Sequence, residues 1–434
     1  MPKNIEIFTR RSKIKDLLLE STFDYQRWVD LIERADTVKG INKGLLRSFS
    51  SPQKRAELLK AICDYKYHIA PPRVILIPKD KAGEFREVKA NTDLDRIVLT
   101  LINDSLFYLF GDLIHPNCKS YQKGLSSVET VQKTVNAIKD YHGFLGYKVD
   151  LSKYFDNVKI EFIDKVFDTL ENRLGFHEEP IIALLREYYH SDWLFDVNGQ
   201  LVQQYTSLKQ GCAVASFLAN VILRDVDEKM TSECQFYVRY SDDMLLIGRN
   251  ADRALTILEN ELSKYGLKLN PKKVEKLNSD KWFTFLGFAI KGDKITLSHN
   301  RVKKFQKEVQ NRTFKSKLKS LTAIKRNLLN WLYGGQFNWA SSCFSVINVQ
   351  KDIDELNKFI LDALRACVTK KSKIGGLGTV DGKDYTIVRG VGKNVKSNRQ
   401  KTEKMFSDYK SVGCLVKDYR LSKSVFETVI RGII

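Results

Sequence analysis

The chain has 434 residues, 43% hydrophobic and 11% aromatic, which suffices for two or three domains with real cores and excludes a disordered polymer. Lysine and arginine number 72 against 52 acids, a net charge of +20, and since no apolar run reaches the ~18 residues of a membrane span, nucleic acid is a better partner than a lipid surface. The opening "MPKNIEIFTRRSKIKD" lacks the apolar core of a secretory signal, and seven scattered cysteines without a CxxC pair argue against a zinc site or disulfide framework, so a reducing cytoplasm is expected.

In chain order, residues 1–70 read as helices, with apolar positions at mixed three and four spacing in "IKDLLLESTFDYQRWVDLIERA". "APPRVILIPKDKAGEFREVKA" reads as a strand (Val74–Pro78), a Lys/Gly turn and a second strand (Glu84–Ala90). Residues 93–115 look helical. "GFLGYKVDLSKYF" is a buried strand ending near Asp150, followed by helix to about residue 190. Asn198-Gly199 marks a short hairpin. "CAVASFLANVILRDVDEKM" reads as one helix with an apolar face. "QFYVRYSDDMLLIGR" is a hairpin with two β-prone arms around a polar turn, and "RALTILENELSKYGLKLN" is a helix closed by Gly266. "KWFTFLGFAIKGDKITL" reads as two strands with a Gly-Asp turn. Residues 300–369 are helical and basic, and from 370 to 400 the chain is rich in Gly and Lys. Strands and helices mixed in this order point to an α+β core with helical flanks.

Three acids stand out. Asp150 ends an apolar strand, while Asp242 and Asp243 sit side by side in the turn of an apolar hairpin. Adjacent carboxylates resist joint ionisation unless a positive charge lies beside them. The pair is therefore either a solvated turn, the usual place for Asp, or a metal site. If strand and hairpin are neighbours in one sheet, the three carboxylates converge on one edge. An oxygen-only ligand set suits Mg²⁺, and two such ions can activate a 3′-hydroxyl and stabilise a leaving pyrophosphate.

The ordered motifs between residues 70 and 290 resemble a reverse transcriptase of the bacterial kind related to group II intron enzymes and retrons. "IPKDKAGEFREVKANTDLDRIV" resembles that family's first block and "SYQKGLSSVETV" its second, with Tyr121, Lys123, Gly124 and Ser126 in place. "YKVDLSKYFDNV" is similar to the third, "SLKQGCAVASFLANVIL" to the fourth, and "YSDD" is a Tyr-x-Asp-Asp box. "YGLKLNPKK" and "FTFLGF" complete the series. The resemblance implies a right-hand polymerase. Its N-terminal helical extension would span 1–70, its fingers 71–142 with part of 157–215, and its palm 143–290 with an antiparallel sheet. A helical thumb (291–369) and a basic C-terminal extension (370–434) would follow.

The resemblance also implies residue roles. Asp150 and Asp242 would ligate both Mg²⁺ ions (Mn²⁺ as a substitute), Asp243 would support them or bind more weakly, and Leu151 would offer backbone groups beside the triphosphate. Phe155 would lie under the incoming sugar, where a bulky ring clashes with a ribose 2′-hydroxyl and selects dNTPs; ordinary core packing is the alternative. Lys79 and Arg86 would neutralise the triphosphate, unless they are a solvated basic turn. Gln210 and Gly211 would touch nucleotide and template, while Asn220 packs its helix. Tyr121, Lys123, Tyr240, Ser241, Lys272, Lys273 and Gly287 would meet template or primer, although for the lysine pair plain solvation is an equal reading. Trp331, Tyr333 and Trp339 are expected to pack the thumb helices.

One departure bears on biology. The fourth block usually carries Ser-Pro five and six residues after its Gln, and here Ala215 and Ser216 stand there. That form resembles the abortive-infection and defence-associated reverse transcriptases of bacteria, and no endonuclease signature follows the thumb. The expectation is thus a bacterial, cytoplasmic RNA-directed DNA polymerase working in antiphage defence. It would copy its own structured noncoding RNA into DNA from dNTPs, without a membrane partner. A retron or intron-type enzyme, template-independent or protein-primed synthesis, and a non-catalytic RNA-binding scaffold are the alternatives.

Overall fold

A computed structural model describes residues 17–36, 38, 40–79, 83–122, 124–318, 321–334 and 338–369. The expected extension at 370–434, the first 16 residues of the expected helical N-terminus, and Lys123 lie outside the described residues. The chain divides into two compact units. The first holds residues 1–124 and 145–276, and the second holds 125–144 and 277–434.

The first unit begins with four helices, Leu17–Phe23, Tyr25–Arg34, Lys43–Phe49 and Pro52–Cys63. Asp24 and Asn42 cap two of them by accepting from the backbone N–H groups of Gln26 and Leu45. The first three bury Leu18, Trp28, Leu31 and Leu46 against helix Asp93–Phe110, and the fourth buries Ile62 and packs on its neighbours Leu17–Phe23 and Lys43–Phe49. Two sheets follow. In the first, β1 (Arg73–Pro78) pairs antiparallel with β2 (Phe85–Ala90), from Arg73 opposite Ala90 to Pro78 opposite Phe85. The sheet is extended by β4 (Trp193–Phe195) and β5 (Leu201–Gln203) in the order β2-β1-β4-β5. The Asn-Gly signal is answered by Gly199 at φ +82° in the β4–β5 hairpin.

The second sheet is the platform of the site. Its core is β3 (Leu145–Asp150), β6 (Phe236–Tyr240) and β7 (Asp243–Gly248), ordered β6-β7-β3 and wholly antiparallel. Val149, Met244, Leu245, Leu246 and Ile247 are almost completely buried, because helices Arg224–Glu233 and Ala251–Lys264 pack on the sheet. Near-continuous Val/Leu/Ile/Met on β7 is what a strand covered on both faces requires. Gly146 has a specific reason to lack a side chain: a Cβ there would lie 2.6 Å from the Leu246 carbonyl.

One element differs from expectation. The stretch read as a single helix from Cys212 to Met230 is two, Ala215–Ile222 and Arg224–Glu233, broken at Leu223 (φ −96°, ψ 16°). Neither Gly nor Pro marks the break. The carbonyls of Ala219 and Asn220, in the last turn of the first helix, are instead drawn to a side chain from β6.

In the second unit, β8 (Glu275–Asn278), half of which belongs to the first unit, leads to β9 (Phe283–Phe285), β10 (Phe288–Lys291) and β11 (Lys294–Leu297), the last three forming one antiparallel sheet. This corrects the expected pair of strands to three. Leu286 and Gly287, at φ +48° and +83°, form the two-residue turn between β9 and β10, and positive φ at both positions is the type I′ pattern. Helices His299–Arg312, Leu321–Tyr333 and Gln350–Thr369 follow, and helix Ser127–Ile138 belongs to the same unit. Phe305 sits at the centre of an aromatic cluster, with ring centroids 5.6 Å from Trp331, 5.0 Å from Trp339 and 5.7 Å from Phe344. These tryptophans are helix-packing residues, as the sequence suggested. Among the described residues, no helix is long and apolar enough to cross a membrane.

Candidate active site

The register of the β3–β7 pair shows how the carboxylates lie relative to one another. Asp150 lies directly opposite Asp243 across the two strands, and cross-strand partners project to the same face of a sheet. Asp242 occupies the tip between β6 and β7, and its carbonyl accepts from the Leu151 N–H at 3.1 Å. The tip is a two-residue turn, Ser241-Asp242, closed by Tyr240 opposite Asp243. Ser241 takes φ +61°, a left-handed conformation that a non-glycine residue holds only when its surroundings fix it. The Ser241 hydroxyl is 2.9 Å from the Tyr121 hydroxyl.

The electrostatics follow from this crowding. Burial, then the Asp150 charge, raise the Asp242 pKa above the ordinary carboxylate value. For Asp243, burial followed by the charge of Asp242 pushes it up to about 6, against a pull from Lys148. The Lys273 ammonium is 2.6 Å from Asp150 Oδ2. Burial works against that ammonium, but the hydrogen bond to Asp150 and the Asp242 and Asp243 charges hold its pKa above the usual lysine range. Asp150 and Asp243 line a cleft with Lys148, Lys272, Lys273, Val274 and Glu275. Of these, Lys148, Val274 and Glu275 were not anticipated from sequence. Lys148 could have been, since it lies two residues before Asp150 on the same face of the strand.

The three carboxylates, without thiolate or imidazole, are the oxygen-only donor set that a hard divalent cation takes, and the Lys273 ammonium is already paired with Asp150. Among the described residues, no group of three or more His, Cys, Asp or Glu side chains is gathered closely enough to hold a metal ion.

The other expected residues are placed as follows. Arg86, on β2, is close enough to bear on the Asp242 charge. Lys79 stands at the end of β1, its N–H donating to the Glu84 carbonyl at 2.8 Å. Phe155 is half-buried beside the fully buried Tyr154, ring centroids 5.6 Å apart. The Gln210 carbonyl accepts from the Lys89 N–H at 2.7 Å. Gly211, at φ +114°, presses on β2 so closely that a Cβ would meet Val88 Cγ1 at 2.5 Å, so its lack of a side chain is explained by the fold. Lys209, buried beside them, donates to the Ser191 carbonyl at 2.8 Å and pins this loop. Lys272 is exposed at the cleft, next to Lys273, and Tyr240 flanks the tip. Asn220 is buried, its Oδ1 accepting from the Ser120 hydroxyl at 2.7 Å and its amide donating to the Ser120 carbonyl at 2.7 Å. Gly287 belongs to the second unit, where Ser298 N–H donates to its carbonyl at 3.0 Å.

Residues 77–290 match the family described as "Reverse transcriptase (RNA-dependent DNA polymerase)", and the chain therefore carries a reverse transcriptase domain, the domain of a nucleic-acid polymerase. Its α+β architecture, with an antiparallel sheet bearing the carboxylates, is the right-hand polymerase fold. Among solved structures the chain is similar to a telomerase from Candida albicans in complex with a fragment of telomeric RNA, at 13% identity and TM-score 0.41, over 81% of this chain and 64% of that one. It is also similar to the apo telomerase from Candida tropicalis, at 13% identity and TM-score 0.42, over 84% and 69%. The RNA-dependent RNA polymerase of a human picobirnavirus is similar at 14% identity and TM-score 0.47, over 76% and 61%. The chain spans less than two thirds of the Candida albicans telomerase, and at this distance the likenesses say nothing of function. No curated protein matches the chain.

Proposed function

We propose that this chain is an RNA-directed DNA polymerase that adds dNTPs to a primer 3′ end at the carboxylates of Asp150, Asp242 and Asp243. The observation that carries the reading is the register of β3 against β7, which sets Asp150 opposite Asp243 with Asp242 at the adjoining tip. Mg²⁺ held by these carboxylates, with Mn²⁺ able to replace it, would lower the pKa of the primer hydroxyl and offset charge on the departing pyrophosphate.

The protein's own residues supply the rest. Asp150 and Asp243, which line the cleft, and Asp242 at the adjoining tip would orient the reacting groups. Arg86 and Lys79 attract the triphosphate from the fingers hairpin. Lys273, paired with Asp150 and lining the cleft, would be a donor to phosphate oxygens once Asp150 is engaged otherwise. Phe155 offers its half-buried ring as the floor under the sugar. Tyr121, bonded to Ser241, and Tyr240, which closes the tip, would meet the primer end, with Lys272 at the cleft.

The finer reading is that the template is a structured noncoding RNA and the role bacterial antiphage defence in the cytoplasm. It is supported by the Ala215-Ser216 pair in place of Ser-Pro and by the +20 charge. Sequencing the nucleic acid that co-purifies with the protein tests it. A single structured RNA with complementary DNA supports the reading, and DNA without any complementary RNA would overturn it in favour of template-independent synthesis.

A further inference from the structure

Arg239 is completely buried, two residues before the tip. A guanidinium taken from water is costly unless its donors are met. Here they are. Nε donates to Asp227 Oδ1 at 2.7 Å, and Nη2 to Asp227 Oδ2 at 2.6 Å and to the Asn220 carbonyl at 2.9 Å. Nη1 donates to the carbonyls of Ala219 at 3.3 Å and Ser241 at 3.4 Å. These bonds match the full donor set of a guanidinium. Asp227 is equally buried and accepts a further bond from the Tyr237 hydroxyl at 2.8 Å.

The arrangement accounts for the helix break at Leu223. Ala219 and Asn220 lie in the last turn of helix Ala215–Ile222, where carbonyls lack partners within the helix and the dipole favours a cation. The same guanidinium reaches the carbonyl of Ser241, the residue held at positive φ immediately before Asp242. The backbone of Arg239 is fixed as well, its N–H donating to the Asn117 carbonyl at 2.9 Å and its carbonyl accepting from Lys119 N–H at 2.8 Å. A buried ion pair is seldom needed for stability, because an apolar pair of similar size commonly serves as well. What an apolar pair cannot do is hold the Ser241 carbonyl.

We propose that Arg239 is a positioning residue for the catalytic tip: anchored on Asp227 and on the end of helix Ala215–Ile222, it fixes the Ser241 carbonyl and so holds Asp242 and Asp243 where they can share a divalent cation with Asp150. Its functional consequence rests on the polymerase reading above. Asp227 acts one step further out, fixing the orientation of the guanidinium through its two-oxygen grip.

The test uses the full-length protein with two variants, Arg239→Met combined with Asp227→Leu, which removes both buried charges together, and Arg239→Lys, which keeps a counter-ion for Asp227 but not the fork. Mn²⁺ affinity is measured by electron paramagnetic resonance, fold by thermal unfolding, and kcat and KM by single-nucleotide addition. Outer-sphere partners of metal ligands are worth about 10–100-fold in metal affinity or activity, and that loss is expected in Mn²⁺ affinity and kcat, with the KM for dNTP nearly unchanged. A folded double variant with Mn²⁺ affinity and kcat within about twofold of wild type, well below that range, overturns the proposal. If the double variant does not fold, Arg239→Lys decides by the same criteria. Wild-type protein that binds Mn²⁺ but adds no nucleotide would remove the polymerase reading and leave the metal comparison standing, whereas wild-type protein that binds no Mn²⁺ removes the positioning role itself.

Discussion

Replacing Asp243 with asparagine in metal-free protein should stabilise the fold, although Asp243 is assigned to the catalytic site. The Asp243 carboxyl is pushed from 3.8 up to about 6, first by burial and then by the charge of Asp242. A pKa unit corresponds to about 1.4 kcal/mol, so ionised Asp243 costs the folded state about 3 kcal/mol. The sign follows from proton counting. Below pH 3.8 the group is protonated in both states and imposes no cost. Between 3.8 and about 6 the unfolded chain ionises first, so stability falls as pH rises through this window, and above it the loss is complete. Asparagine keeps the shape and never ionises. In EDTA, Asp243→Asn should therefore unfold several degrees above wild type at pH 7.5, with the difference shrinking to nothing near pH 4. Adding Mn²⁺ should stabilise wild type more than the variant. An Asp243→Asn protein no more stable than wild type at pH 7.5, or an advantage that does not decline toward pH 4, would refute the reasoning.

Three further outcomes are expected. Gly211→Ala places a Cβ 2.5 Å from Val88 Cγ1 at φ +114°, and should cost about 1–3 kcal/mol in denaturant unfolding; an unchanged midpoint contradicts the tight approach to β2. Phe155→Val should narrow the preference for dNTP over rNTP by about tenfold or more in competitive incorporation, while unchanged selectivity would make Phe155 a packing residue only. RNA binding should weaken by roughly tenfold or more between 50 and 200 mM salt, and a salt-insensitive affinity would separate the basic composition from any nucleic-acid role.

A hairpin tip at the Ser-Asp-Asp stretch was legible because β-prone residues flank it on both sides, but the turn is Ser241-Asp242, and Asp243, expected in the turn, opens β7 opposite Tyr240 and Asp150. The strand ending at Asp150 was legible for the same reason, an apolar run closed by one acid. What sequence could not supply was pairing: nothing in "YKVD" or "YSDD" says that β3 lies beside β7 and not beyond it, and this adjacency is what joins the acids. The break at Leu223 was invisible because it follows from a guanidinium contributed by another strand, without a local Gly or Pro. Arg239 itself carried a signal that was passed over, a lone cation in the apolar run "FYVRY". The packing of Gly211 against Val88 and Lys89 was likewise not legible, because it depends on how the loop meets β2.

The central claim is tested most directly by rapid-quench measurement of single-dNTP addition to an RNA-templated primer, comparing wild type with Asp150→Asn in Mg²⁺. The account predicts addition by wild type and a fall of about 1,000-fold or more in Asp150→Asn, with the variant still folded by circular dichroism. Addition by Asp150→Asn at a rate comparable to wild type would contradict it.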